Sequence, residues 1–248
     1  MTFTAQDTQR LNKLMADSPE NKELLTKLLD FHQYTVSKIS HEIRNPLALV
    51  YSTLQLIETT HPEVLSIKHW HYMREDVEYM TMLLEELSRY NNSERLSVTE
   101  INMRTCLEHL SLSFAASLVD TDIEFTSKID PNLPVMRGDK IKLREMFLNL
   151  LKNAKDAVSS AGTITLHAYP EGNNIIILIS DTGCGIASED LDDIFTPFVT
   201  HKQEGSGLGL AIVQKTADAH GGFIQVQSDP GRGTTFSVTL PIQYDSQH

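Results

Sequence analysis

His41 and Glu42 stand side by side in the stretch Ser40-His41-Glu42-Ile43-Arg44-Asn45-Pro46-Leu47. A neutral imidazole is a good nucleophile near neutral pH, and an adjacent carboxylate can orient the ring and take its other proton. Such a pair could attack the γ-phosphoryl group of a nucleotide and carry it as phosphohistidine. Asn45 follows one helical turn later on the same face. Its amide could orient a water for the reverse task, hydrolysing an acyl phosphate on a partner. The chain has ten histidines, and an exposed histidine taken alone is more often a solvated surface residue. Pro46 sets His41 apart. Proline inside a helix removes a hydrogen bond and invites a kink, a local compromise expected where function overrides good helix design.

Two further features sit badly in an ordinary core. Asn149 and Asn153 lie one turn apart on an otherwise apolar helix, within Asn149-Leu150-Leu151-Lys152-Asn153-Ala154. Paired helical amides could hold a metal ion or a phosphate; a plain helix–helix hydrogen bond is the alternative. Glycines cluster in Asp181-Thr182-Gly183-Cys184-Gly185-Ile186 and in Gly205-Ser206-Gly207-Leu208-Gly209-Leu210. Glycine lets a backbone approach a ligand closely, and free amides opening a helix favour phosphate. Neither the dinucleotide fingerprint nor the P-loop pattern is matched, so the glycines alone do not fix the ligand.

The elements that must position these residues fall into two halves. Residues 8 to 30 read as helix with a break at Ser18-Pro19, where serine suits an N-cap and proline a first helical turn. Val36, Ile43, Leu47, Val50, Leu54 and Ile57 recur at heptad spacing, with Ser40 at the one polar seam position. Counted from that seam, His41 and Asn45 face outward. After His61-Pro62, a second helix carries Trp70, Met73, Val77, Met80, Leu84 and Leu87. Two helices with such narrow seams need a partner, and dimerisation into a four-helix bundle supplies one. Beyond residue 97 the periodicity changes. Strands are expected at 123–126, 163–169, 174–180, 223–228 and 234–240, with helices at 140–158 and 208–219. That order predicts an α+β sandwich with a mixed sheet and helices on one face.

The totals exclude some functions. The formal net charge is −12, and no cluster of Lys and Arg offers a phosphate-backbone footprint, so nucleic acid is not an expected partner. Cys106 and Cys184 match no zinc-ligand spacing and read as reduced thiols of a cytoplasmic protein. The longest apolar stretch, Ile175 to Ile179, is far short of the roughly 20 residues of a membrane helix. No membrane segment is therefore expected in this chain, although the cytoplasmic part of a membrane receptor would look the same.

Taken together, these segments resemble the sensor histidine kinase family of two-component signalling, within the GHKL ATPase superfamily. His41 to Leu47 resembles its H box, in the variant with asparagine four residues after the histidine. Asn149 to Asp156 resembles the N box, Asp181 to Ile186 the first glycine box, Phe195 to Phe198 the F box, and Gly205 to Leu210 the second glycine box. Gly231 to Phe236 resembles the closing segment. The likeness covers roughly residues 33 to 240 and is strongest to the nitrogen-regulation and sporulation branch.

The resemblance implies three parts: a helical segment or linker (1–33), a dimerisation and histidine-phosphotransfer hairpin (34–95), and a Bergerat-type ATP-binding domain (96–248). It implies autophosphorylation of His41 by ATP, with Glu42 assisting. It also implies phosphoryl transfer to an aspartate of a response-regulator receiver domain, and phosphatase chemistry through Asn45. Asp181 is then expected to receive the adenine amino group, with Gly183, Gly185 and Ile186 shaping the pocket and Thr234 at the same edge. Asn153, with Asn149 beside it, is expected to hold Mg²⁺. Gly205, Gly207, Leu208 and Gly209 are expected to end the ATP lid and cradle phosphate. Lys202 in that lid is a candidate phosphate contact, or else a solvated lysine. Asp156 departs from the commoner pattern, which places a lysine there. The other readings weighed are a phosphotransfer scaffold with a degenerate ATP site and a Bergerat ATPase of the chaperone or topoisomerase kind. The latter would share the back half of the chain but not the His41 segment.

Overall fold

A computed structural model describes residues 5–200, 202 and 205–243. The expected segment limits at residues 1 and 248 lie outside them. The chain divides into two compact units, residues 1–92 and 93–248.

The first unit is helical. Helix α1 (Ala5–Asp17) ends at Ser18, whose side chain caps α2 (Pro19–Thr60) by accepting the Glu20 N–H at 3.2 Å, with Pro19 in the first turn. A proline there gives up an N–H that has no intrahelical partner anyway. Helix α2 spans 42 residues and passes through Pro46 without a break. Residues 33 and 34 therefore lie within one helix. A short 3-10 turn (Pro62–Ser66) leads to α3 (Lys68–Asn92), which packs back along α2. Trp70 Nε1 donates to Glu58 at 2.9 Å, and Asn91 Nδ2 donates to the Gln33 carbonyl at 2.6 Å. Among the described residues of this unit, Leu54 and Val77 are the only large apolar side chains that are buried. Ile43 and Val50 of the expected seam stay 44% and 45% exposed.

The second unit is an α/β sandwich. Strand β1 (Thr99–Asn102) pairs antiparallel with β3 (Val135–Gly138). The main sheet has the order β2-β4-β5-β7-β6, built from β2 (Asp122–Ile129), β4 (Ala161–Glu171), β5 (Asn174–Asp181), β6 (Phe223–Asp229) and β7 (Gly233–Pro241). Only β2 and β4 run parallel. Three helices complete the layer: α4 (Met103–Ala116), α5 (Lys140–Ala157) and α6 (Gly209–Ala219). One core joins them to the sheet. Leu143, Phe147, Leu150 and Leu151 of α5 are fully buried against Ile164 and Leu166 of β4 and Ile177 of β5. Alternation along β4 and β7 places every second side chain in this core.

Strands β1 and β3 and helix α4 were not foreseen. The two strands are four residues long, too short for alternation to register. Helix α4 does carry a local signal: Asn102 caps it by accepting the Thr105 N–H at 3.0 Å, and Arg104 pairs with Glu108 one turn on. Among the described residues no helix is long and apolar enough to cross a membrane.

Candidate active site

The site begins where β5 ends. Asp181 is 8% exposed and sits directly opposite Thr234 of β7. Burial raises the Asp181 pKa, and the backbone N–H groups of Gly183 and Thr234 donate to its carboxylate and oppose that rise. The Gly183 bond is 2.8 Å. A half-satisfied buried carboxylate keeps lone pairs for a ligand that donates hydrogen, such as an exocyclic amine. A cleft of about 510 Å³ opens here, lined by Asp181, Leu191, Asp229, Arg232 and Thr234 among others.

The loop after β5 must turn sharply across the tip of the β6–β7 hairpin. Gly185 has φ +69, and a Cβ there would stand 2.2 Å from the Asp229 carbonyl oxygen. No other residue fits such a position without moving the hairpin. Cys184 N–H donates to Ala157 O at 3.1 Å, and Gly231 N–H donates to Cys184 O at 2.7 Å, so the loop is tied to α5 and to the hairpin turn. Ser228 is the residue that sequence reasoning missed. Its hydroxyl accepts the Ile186 N–H at 2.8 Å and bonds the Thr234 hydroxyl at 2.9 Å and the Gly233 carbonyl at 3.1 Å. It joins the glycine loop to the strand facing Asp181. Its sequence neighbours carry no signal of this, because its partners lie 42 residues upstream and six residues downstream.

Asn149 and Asn153 lie half-buried on α5. The Lys202 ammonium is 3.2 Å from Asn153 Oδ1 and 2.8 Å from Asp156 Oδ2. Lys202 N–H donates to the Thr200 hydroxyl at 3.1 Å, and Gly205 N–H donates to the Lys202 carbonyl at 3.3 Å. Gly207, at φ +71, accepts the Phe198 N–H at 3.0 Å, and a Cβ on it would strike the Phe198 backbone at 2.6 Å. Phe198 also has positive φ, 66°, unusual for a bulky residue and found where strain serves a site. Leu208 is buried and is the N-cap of α6, whose first residue is Gly209. The amides opening α6 thus follow directly on Gly205, Ser206 and Gly207.

His41, Glu42 and Asn45 are exposed on α2, in the other unit. Ser40 beside them is 1% exposed and donates to the Val36 carbonyl at 2.8 Å, the polar seam residue anticipated from the heptad. His41 Nδ1 lies 3.5 Å from the Arg44 guanidinium, while Glu42 reaches toward Lys38 at 3.9 Å. Glu42 is therefore adjacent to His41 in sequence but does not hydrogen-bond its ring.

Comparison with known proteins finds relatives by sequence and by fold. Residues 138–244 match the family described as histidine kinase-, DNA gyrase B-, and HSP90-like ATPase. The sensor histidine kinase ZraS of Escherichia coli (strain K12) is 30% identical over 236 residues, covering 94% of this chain and 50% of that protein. The sensory histidine kinase/phosphatase NtrB of Rhodobacter capsulatus is 32% identical over 218 residues, 82% of this chain and 60% of that one. The chain carries a histidine kinase catalytic core. In solved structures, full-length ShkA in complex with AMPPNP superposes on this kinase core with a TM-score of 0.74 at 27% identity, over 86% of this chain and 47% of that one. The catalytic domain of histidine kinase ThkA gives 0.56 at 26% identity, over 61% of this chain and 99% of that one. The chain spans about half the length of ZraS.

Proposed function

We propose that this chain binds ATP in the second unit, phosphorylates its own His41, and passes the phosphoryl group to an aspartate of a response-regulator receiver domain. The observation that carries the reading is the buried Asp181 carboxylate, held by Gly183 and facing Thr234, in the same chain as a solvent-facing His41. The first is an acceptor wall for an adenine amino group; the second is a nucleophile without a structural task in the core. Two copies of the helical hairpin form the working dimer.

The chemistry runs through residues of this chain. The Arg44 guanidinium can only donate, so its 3.5 Å contact at His41 Nδ1 goes with the ring proton on Nε2. For Nε2 to attack, that exposed contact must open and the ring proton must move to Nδ1, which frees the Nε2 lone pair. The Nε2–phosphorus bond forms as the bond from the γ-phosphorus to the bridging oxygen breaks, and ADP carries away that electron pair. Glu42 then takes the Nδ1 proton by rotating away from Lys38, an exposed and therefore weak pairing. The α6 amides and Lys202 supply positive charge toward the triphosphate.

Asn153 is the residue that would hold Mg²⁺, with Asn149 beside it. A cation already stands on its oxygen, the Lys202 ammonium, with the Asp156 carboxylate next to it. Oxygen donors of this kind suit a hard cation. When bound, Mg²⁺ neutralises charge on the phosphates.

The test is incubation with γ-labelled ATP and Mg²⁺, beside a His41→Gln variant. Acid-labile, base-stable label on the wild type alone is the expected result. Acid-labile label retained on the variant would overturn the assignment.

A second activity is favoured by one observation. Asn45 is exposed one turn beyond His41, and the relative NtrB is named a kinase/phosphatase. Asn45 is proposed to orient a water against the regulator's acyl phosphate. Asn45→Ala is expected to slow regulator dephosphorylation and spare autophosphorylation; equal dephosphorylation rates would refute the role.

A further inference from the structure

Helix α5 ends in an arrangement that the glycine boxes do not account for. Asp156 projects one turn after Asn153, and Lys202, 46 residues away in sequence, places its ammonium between the two side chains. The reach is 2.8 Å to the carboxylate and 3.2 Å to the amide oxygen. Lys202 is held there from its backbone as well, through the Thr200 hydroxyl on one side and the Gly205 amide on the other. The lysine thus meets both α5 side chains from a position half open to solvent.

We propose that Lys202 is a resident cation which Mg²⁺ must displace from Asn153, and that Asp156 is the positioning residue that keeps it there until nucleotide arrives. The inference rests on the nucleotide-site reading above. With the site free of nucleotide, the ammonium occupies an oxygen of Asn153. When Mg²⁺ and a triphosphate enter, the ammonium leaves Asn153 for the phosphate oxygens. Lysine position and metal occupancy thus become one equilibrium.

The magnitudes suit such an exchange. Lys202 and Asp156 are 48% and 54% exposed. A pair in that setting is weak and screened by salt, so a triphosphate bearing several negative charges outcompetes a single carboxylate for the lysine. A buried ion pair would hold the lysine in place; this one delays metal entry without blocking it. The arrangement also gives Asp156 a reason to be acidic: the cation at this point is Lys202, not a residue of the helix.

The experiment is a calorimetric titration of AMPPNP into the full chain at a series of Mg²⁺ concentrations. It compares wild type, Asp156→Asn, Lys202→Gln and the double variant. Asp156→Asn loosens the competitor cation, and the Mg²⁺ concentration for half-maximal binding is expected to fall about threefold, fivefold at most. Lys202→Gln is expected to lower the Mg²⁺ requirement too, while weakening AMPPNP at saturating Mg²⁺, because the phosphate contact is lost. In the Lys202→Gln background, Asp156→Asn is expected to change nothing further. A Mg²⁺ requirement that rises in Asp156→Asn would make Asp156 a metal ligand and overturn the proposal. An unchanged requirement, or effects of the two substitutions that simply add, would overturn it as well. Wild type that fails to bind AMPPNP at any Mg²⁺ concentration would overturn the nucleotide-site reading itself, and this inference with it.

Discussion

His220 Nε2 accepts the backbone N–H of Asp139 at 2.9 Å, while its Nδ1–H donates to the Thr216 carbonyl at 2.7 Å. The ring is fully buried and links the C-terminal cap of α6 to the N-terminal cap of α5. Asp139 in turn accepts the N–H groups of Ile141, Lys142 and Ser97. The helix that bears the asparagines and the helix that follows the lid are thus fixed to each other at one point.

This linkage makes a pH-dependent stability. Both ring nitrogens are committed in the neutral form, and burial lowers the His220 pKa; Thr216 and Asp139 oppose that shift. A base with a depressed folded pKa contributes stability that is present above its unfolded value and lost as the pH falls through the folded value. The α5 amides are therefore expected to lose hydrogen-exchange protection as the pH drops below about 6.5, the ordinary imidazole value. His220→Ala leaves the Asp139 N–H unsatisfied and opens a void, at a cost of about 2–4 kcal/mol in local stability. Unchanged exchange of the Ile141 and Lys142 amides in that variant would show that the link carries no stability.

Asp181 illustrates the opposite sign. Burial raises its pKa, the Gly183 and Thr234 amides notwithstanding. An acid with a raised folded pKa favours the fold when protonated, and that contribution disappears as the pH rises through the folded value. At neutral pH its buried charge is a cost to the nucleotide-free protein. Asp181→Asn is expected to weaken ATP binding by about 1.5–3 kcal/mol, the scale of a hydrogen bond to a charged group, while the nucleotide-free domain melts no lower at pH 7. Below the raised pKa the wild type is expected to lose affinity and approach the variant. Calorimetry from pH 4 to pH 8 checks both limbs.

The same residues show what was legible in the chain. Asp181, Asn153 and the two glycine segments announced themselves because each is a polar or small residue placed where a core or helix would choose otherwise. The main strands were legible because β4 and β7 alternate along their central residues, while β5 carries the apolar run Ile175 to Ile179. What stayed hidden depends on contacts between distant residues. The Lys202–Asp156 pair spans 46 residues and the Asp139–His220 bond spans 81. No local spacing encodes either. The run of α2 through Pro46 was legible, because the heptad seam from Val36 to Ile57 spans it; proline weakens one turn, and a 42-residue helix has enough remaining bonds and packing to continue past it.

Ser228 is expected to act on affinity through its neighbours. Its hydroxyl is the acceptor for Ile186 N–H and the partner of the Thr234 hydroxyl. Ser228→Ala leaves both without that partner, so the glycine loop loosens and the Thr234 hydroxyl is free to turn. Loss of one or two such bonds corresponds to about 1–2 kcal/mol, or roughly 5- to 30-fold in ATP affinity. Ser228→Thr keeps the hydroxyl and is expected to recover most of the loss. A general structural weakening would lower thermal stability in step with affinity. Equal affinities of the alanine variant and wild type would remove Ser228 from the site.

The helical unit makes the last test, because its sequence and its packing disagree unless a second copy is present. The heptad residues Ile43 and Val50 are seam positions, yet each keeps more than two fifths of its surface exposed. Apolar surface costs about 25 cal/mol per Å² to leave in water, so a stripe repeated along a helix of this length favours association. Two hairpins meeting along it would cover the seam while leaving His41 and Asn45 on the outside, since those positions lie off the stripe. Val50→Glu places a charge in that seam. Light scattering of the purified chain is expected to give a dimer for wild type and a shift toward monomer for Val50→Glu, with ATP binding in the other unit retained. Glu42→Gln, on the outer face, is expected to remain dimeric. A monomeric wild type, or a Val50→Glu variant as dimeric as the parent, would mean that the seam is not the interface.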